Sequence, residues 1–283
     1  MIGLILAGKQ NLNFHPVSRV IPRQLMPVYD KPLIYYSISV LLQSGIMKFF
    51  VVACIEEINH YEKLLGDGSQ WGIQIGYIVH PSPDNKMKVL IAAEKHIGSE
   101  DICVISADLI IFGHELKRVL KESVQLLEDG NAVIFGNKID TELPAKDAPD
   151  SLLTVVEKID RWIHNFKPAG LCFYPNNVFA LAKDTKLSLL AELETEQVNN
   201  RYKAFNRLKL QVLNDRIITL RASDYDELYN ATLFLKEFNK YSGLNIGSVD
   251  KVAKELGLIK RNLLQADNID RAINTATVGE PVE

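Results

Sequence analysis

The sequence predicts an α/β protein built on a mixed, mostly parallel sheet with helices over both faces. Three observations carry this. Apolar runs of strand length, rich in Val and Ile, recur through the first half. Stretches of helical length and pattern separate them, and glycines stand where several of those helices should stop.

In order, IGLILA is read as a strand and Pro32 to Gln43 as a helix closed by Gly45. FFVVAC is a strand, followed by a helix from Glu56 to Leu65 that ends at Gly66. IQIGYIV is a strand, Lys86 to His96 a helix, and ICVISA a strand. His114 to Leu127 is a helix and NAVIFGNKI a strand. TELPAKDAPDS is a polar surface loop, after which LLTVVEK and GLCFYP read as strands. Beyond Asn176 the pattern shifts to two helices, a hairpin-like pair in RLKLQVLNDRIITLR turning at Asn214-Asp215, and a run of C-terminal helices. The expected organisation is a main domain over 1–240 and a helical extension with a mobile tail over 241–283.

The composition is that of a soluble globular protein: of 283 residues, 47% are hydrophobic and 24% charged. A net charge of −3 argues against broad binding of nucleic acid or anionic membrane. No segment is apolar for long enough to span a bilayer, and the N-terminus lacks the pattern of a secretory leader, so the chain is expected in the cytoplasm. Cys54, Cys103 and Cys172 each sit in an apolar run and are expected to be buried reduced thiols. The scattered histidines show no zinc-ligand spacing.

Ligands on such sheets bind beyond the carboxyl ends of the strands. The segments in question are Gly8 to Arg23, His80 to Lys88 and Ala107 to His114. The first begins as a phosphate cradle would, at Gly8. It then continues with Lys9, Gln10, Asn11, Leu12 and Asn13, whose side chains obstruct close approach of backbone N–H groups to a phosphate.

Three long stretches, LMPVYDKPLIYYSISVLLQSGI (25–46), LLGDGSQWGIQIGYIVHPSPD (64–84) and ADLIIFGHEL (107–116), closely resemble sugar-1-phosphate nucleotidyltransferases, in particular the glucose-1-phosphate thymidylyltransferases. The similarity runs in register through VEKI, AGLCFYPNNV and AELETEQVNNRY, to about residue 240. The resemblance implies a Rossmann-like three-layer fold with a nucleoside triphosphate and a sugar 1-phosphate side by side over the strand ends. In such a site the sugar phosphate attacks the α-phosphorus in line and pyrophosphate leaves. A glycine-rich loop, an Arg, a Lys and one Mg²⁺ held by two aspartates neutralise the charge.

Against that pattern the chain keeps some groups and replaces others. Gly8, His15 and Pro16 are in register with the family loop. Lys9 and Asn11 stand at its second and third glycines, and Asn13 at its catalytic Arg. By analogy with other preorganised charge stabilisers, that last change is worth roughly 10²–10³ in rate. Arg23-Gln24 replaces a Lys-Gln pair. In the nucleobase segment, His80 and Asn85 replace a Gln and a Gly. Asp108 keeps the first metal aspartate, but Arg221 stands where the second should be. A guanidinium ~4 Å from a dication costs on the order of 8 kcal/mol at an effective dielectric of 20. An Asp108–Arg221 ion pair in place of the metal is therefore expected. For the sugar phosphate, Glu157 and Lys158 match the family's pair, Gly170 keeps a strand glycine, and Glu192 matches a supporting glutamate. The family's Tyr-Gly contact is missing from the shortened loop around Pro149.

Three readings follow. The first is a catalytically degenerate nucleotidyltransferase kept to bind a nucleotide, a sugar phosphate or a protein, as a homo-oligomer or a companion of an active relative, with no cofactor. The second is an active enzyme, with Mg²⁺ or with Lys9, Arg23 and Arg221 rebuilding the site. The third is an interaction module without a small ligand.

Overall fold

The computed structural model describes residues 1–8, 12–83, 85–138, 166–184 and 191–259. Among these residues seven strands form the main sheet, in the order β10-β8-β9-β6-β1-β4-β5. They are β1 (Ile2–Leu6), β4 (Lys48–Ala53), β5 (Gln74–Val79), β6 (Ile102–Ser106), β8 (Ala132–Lys138), β9 (Phe166–Tyr174) and β10 (Leu208–Leu213). All neighbours run parallel except β9, which is antiparallel to both β6 and β8. β7 (Leu109–Gly113) and β11 (Ile217–Arg221) form a second, antiparallel sheet, and β2 (Pro27–Val28) and β3 (Lys31–Pro32) a third.

The central strands are apolar throughout because both faces are covered. One face carries α1 (Ile34–Gln43), α2 (Ile58–Leu65), α4 (Leu116–Glu128) and α8 (Val249–Glu255), around a core that includes Ile5, Leu41, Phe49, Phe135 and Phe173. The other carries α3 (Lys86–Ile97), α5 (Val178–Lys183) and α6 (Ala191–Ala204), over Leu4, Val104, Leu90 and Phe179. A third cluster lies under α7 (Tyr225–Ser242), where Leu235 and Ala231 meet Phe112 and Ile110 of β7.

Several expectations change. The hairpin read in 207–221 does not form, because its two strands join different sheets: β10 lies parallel to β8 while β11 opposes β7. The turn between them is fastened elsewhere. Asn214 Nδ2 and Arg216 Nη1 donate to Glu115 at the head of α4, at 3.0 and 2.7 Å. With Arg118 added, these donors bring the Glu115 carboxyl down to about 2. Within Ala107 to His114, taken above only as a segment that follows a strand, Leu109–Gly113 is itself a strand, β7. Helices α1, α2 and α4 begin about two residues later than expected. The boundary expected at residue 240 falls inside α7, and α8 beyond it buries Val249 and Ala253 in the main core. The strand read in LLTVVEK and the C-terminal tail lie outside the described residues.

LLGDGSQWG is explained by close packing. Gly72 adopts φ +68, and a Cβ there would lie 2.6 Å from the carbonyl oxygen of Leu258. Phe173 is fully buried against Phe135 at a centroid distance of 5.4 Å. Phe173→Ala is expected to cost about 3–5 kcal/mol, read as a lower denaturation midpoint with an unchanged slope.

Candidate functional site

The carboxyl ends of β1, β4 and β6 place Gly8, Cys54 and Asp108 side by side, in keeping with the parallel registers of these strands. Over them passes a segment of short 3₁₀ turns, Leu12–Phe14, Val17–Arg19 and Arg23–Leu25. Phe14, fully buried, packs edge-on against Tyr225 of α7 at 5.0 Å, and the Tyr225 hydroxyl donates to the Phe14 carbonyl at 3.0 Å. The exposed Asn13 donates to the Ser223 carbonyl at 3.3 Å. Lys9 and Asn11 lie outside the described residues.

Asp108 is 5% exposed and both its oxygens are engaged. Arg23 Nη2 stands 3.1 Å from Oδ2, and the Ser106 hydroxyl donates to Oδ1. The ion pair expected with Arg221 is therefore made by Arg23 instead. Arg221, opposite Leu109 in the β7–β11 register, turns to β9, where its Nη2 donates to the Pro168 carbonyl at 3.3 Å. There the β8–β9 register shifts, and Gly170 adopts φ +91. A Cβ on Gly170 would meet Arg221 Nη2 at 3.3 Å, so the glycine makes room for the guanidinium.

Gln24 and Asn85 have their side chains committed within the protein. Gln24, 1% exposed, donates to the Gly8 carbonyl at 3.3 Å and accepts from the Tyr61 hydroxyl at 2.9 Å. It holds the end of β1 in place. Asn85 Oδ1 accepts from the Lys88 amide at 3.0 Å and caps α3. His80 Nδ1 accepts from the Ser82 amide at 3.0 Å, which leaves the proton of a neutral ring on Nε2. Glu157 and Lys158 lie outside the described residues, and Glu192 is placed on α6 by its backbone.

The structure adds two groups that sequence reading missed. Lys86, the first residue of α3, is half-buried and donates to Cys172 Sγ at 3.4 Å. Cys172 lies two residues along β9 from Gly170, on the same face, so Lys86 and Arg221 stand over one stretch of strand. The first turn of α3 holds no acidic residue, and a cation there opposes the helix dipole. That mismatch was the signal available in the sequence. The second group is Glu57, 4% exposed, whose Oε2 has no hydrogen-bond partner among the described residues. Burial raises its pKa, against the hydrogen bond from Cys54 and the nearby charges of His60 and Arg23. Cys54, beside it, is pushed up to about 11 by burial and by Glu57, and all three cysteines are free and buried as expected.

The nucleotidyl transferase family model matches residues 2–216. The chain belongs to this family. It is 32% identical over 265 residues to a glucose-1-phosphate thymidylyltransferase of Neisseria gonorrhoeae, covering 92% of this chain and 91% of the relative. To that of Neisseria meningitidis serogroup A it is 30% identical over 267 residues, covering 94% and 93%. Two solved structures share the fold. A Bacillus anthracis protein described as a glucose-1-phosphate thymidylyltransferase, in complex with sucrose, superposes with a TM-score of 0.67 at 20% identity, over 89% of this chain and 99% of that one. A UDP-glucose pyrophosphorylase complexed with UDP-glucose gives 0.65 at 17% identity, over 83% and 98%.

The Mg²⁺ that the family resemblance implies does not fit the described residues. Its remaining aspartate is already paired with a guanidinium and a hydroxyl, and the second position presents Arg221. Mg²⁺ requires hard oxygen donors in near-octahedral array. Among the described residues no group of three or more His, Cys, Asp or Glu side chains could hold a metal.

Arg23 and Asp108 are both largely buried, so Arg23→Met should leave an uncompensated carboxylate and cost about 3 kcal/mol. Arg23→Met combined with Asp108→Leu should recover most of it, as read by chemical denaturation. For Glu57 the sign follows from a folded pKa above the unfolded one. Its contribution is fully present below about pH 4.3 and is lost as pH rises through the folded value. Glu57→Gln should flatten that part of the stability–pH curve.

Proposed function

We propose that this member of the nucleotidyl transferase family binds a nucleotide or sugar phosphate over the strand ends without Mg²⁺, and no longer performs metal-dependent nucleotidyl transfer. The observation that carries this reading is the state of Asp108. Its two oxygens are committed to Arg23 and Ser106, which leaves the crevice with cations in excess. Arg221 and Lys86 form no ion pair among the described residues, and both lie along the same face of β9. An anionic ligand lying there would be met by two side-chain cations and by the positive end of α3. The curated relatives are named for a reaction of glucose 1-phosphate, and a nucleotide or sugar phosphate is the ligand chemistry this arrangement favours.

The fixed backbone around Gly8 supports the same reading. Gln24 and Tyr61 keep the end of β1 in place, so the crevice is preformed. Asn13, at the position of the family's Arg, is turned to the head of α7 and offers no charge to a leaving pyrophosphate. The second reading, an active enzyme, is favoured by the same cations: Arg221, Lys86 and a released Arg23 would neutralise a phosphoryl group without metal. We place the protein in the cytoplasm. Among the described residues no helix is long and apolar enough to cross a membrane.

Calorimetric titration with dTTP, UTP and glucose 1-phosphate, each with Mg²⁺ and with EDTA, together with a pyrophosphate assay on each triphosphate mixed with glucose 1-phosphate, separates the readings. Binding that is indifferent to Mg²⁺, with no pyrophosphate released, is the expected result. Mg²⁺-dependent pyrophosphate release would overturn it. Lys86→Gln should weaken binding by about tenfold, about 1.4 kcal/mol, while Lys88→Gln at the exposed neighbouring position should leave it within about twofold.

A further inference from the structure

The three cysteines stand in unlike surroundings. Cys103 is fully buried, and burial pushes its thiol well above the ordinary range. Cys54 is held up to about 11 by burial and by the carboxylates of Glu57 and Glu56 beside it. Thiols placed in these ways keep their protons and are inert. Cys172 has a cation instead: Lys86 Nζ donates to its Sγ at 3.4 Å. Cys172 keeps 7% exposure on β9, two residues from Gly170 and on the same face.

That contact holds a nucleophilic sulfur and a nitrogen within reach of each other. The thiolate is the form of cysteine that attacks peroxide, and a donating ammonium is the partner that favours it. A sulfenic acid, once formed, is an electrophile that condenses with a neighbouring nitrogen to a sulfenamide. Lys86 is the first residue of α3, where its charge opposes the dipole of the helix. Losing that charge therefore relieves a conflict in the fold.

We propose that Lys86 and Cys172 are a peroxide-responsive pair that closes into a covalent nitrogen–sulfur link between α3 and β9. In the first step the Cys172 thiolate attacks one oxygen of hydrogen peroxide, and the O–O bond breaks. Sulfur is oxidised to the sulfenic acid and peroxide is reduced. The leaving hydroxide takes a proton from the Lys86 ammonium and departs as water. In the second step the Lys86 amine attacks the sulfenic sulfur, the S–O bond breaks, and a second water leaves with a proton from nitrogen. Excess thiol reverses the link by attacking the same sulfur, which returns the amine and, after a second exchange, the cysteine. The link stands on the Lys86–Cys172 contact alone. Its effect rests on the function proposed above: with Lys86 neutral and tied to β9, an anionic ligand meets Arg221 without it.

Treatment of the full chain with hydrogen peroxide, followed by mass spectrometry without reductant, tests this. The expected product is a chain lighter by two hydrogens, in which trypsin no longer cuts after Lys86 and the peptides carrying Lys86 and Cys172 travel together. Dithiothreitol should restore the parent mass and the cleavage. Lys86→Arg keeps the cation and should give no link, with Cys172 passing to sulfinic acid instead. Cys54→Ala should leave link formation unchanged. An unmodified Cys172 in the parent chain, or sulfinic acid there without a link, overturns the proposal. So does a bridge that retains a peroxide oxygen, or oxidation of Cys54 in preference to Cys172. Titration of the linked chain with dTTP and glucose 1-phosphate then separates this proposal from the ligand reading. Binding about tenfold weaker, and restored by dithiothreitol, supports both. Unchanged binding by a fully linked chain upholds the link and overturns the placement of the ligand on Lys86.

Discussion

A carboxylate at the end of a buried strand has to be neutralised, and what neutralises Asp108 decides the chemistry above the sheet. Taking such a charge out of water costs several kcal/mol even after relaxation, so a partner is obligatory. A dication would make the site electrophilic and leave coordination positions open. In the structure Arg23 meets Oδ2 and Ser106 meets Oδ1, and on the function proposed above the carboxylate is a counter-ion to Arg23.

That pairing also draws the segment 12–25 across the strand ends. Arg23 enters from a short 3₁₀ turn, and its neighbour Gln24 is clamped between the Gly8 carbonyl and Tyr61. Upstream, Phe14 is wedged against Tyr225 at the head of α7. The site loop, the β7–β11 sheet and α7 are thus one mechanical unit. Asp224 caps α7 by accepting from the Glu227 amide at 2.8 Å, and Glu227 reaches back to the Ser223 amide at 2.8 Å. Asn13 bonds to the Ser223 carbonyl in the same corner, so the order of the loop and of the helix start depend on each other.

With Asp108 spent, the sign of the crevice is set by Arg221 and Lys86. Arg221 is admitted by Gly170, whose left-handed conformation and missing side chain clear the space beside β9. Lys86 reaches the same strand from the head of α3, where its charge is unfavourable for the helix itself. On the function proposed above, the ligand's charge would compensate this local conflict.

By itself the sequence determined the architecture. The buried strands, the helices between them and the crevice at their carboxyl ends follow from apolar periodicity, which is local. The register with the family singled out Asp108, Arg221, Gly170 and the altered loop as candidate positions. Tertiary structure decided which partners those groups take. Arg23 and Arg221 are both cations of similar reach, and only the path of the backbone puts Arg23 on Asp108 and Arg221 on β9. Asn85 and Gln24 read as ligand groups until their cap and clamp bonds are seen, since a polar side chain does not advertise which donor lies next to it. The false hairpin at Asn214 has the same origin. Strand propensity and a turn are written locally, but the choice of sheet depends on β8 and β7, roughly a hundred residues or less away in the chain and adjacent in space.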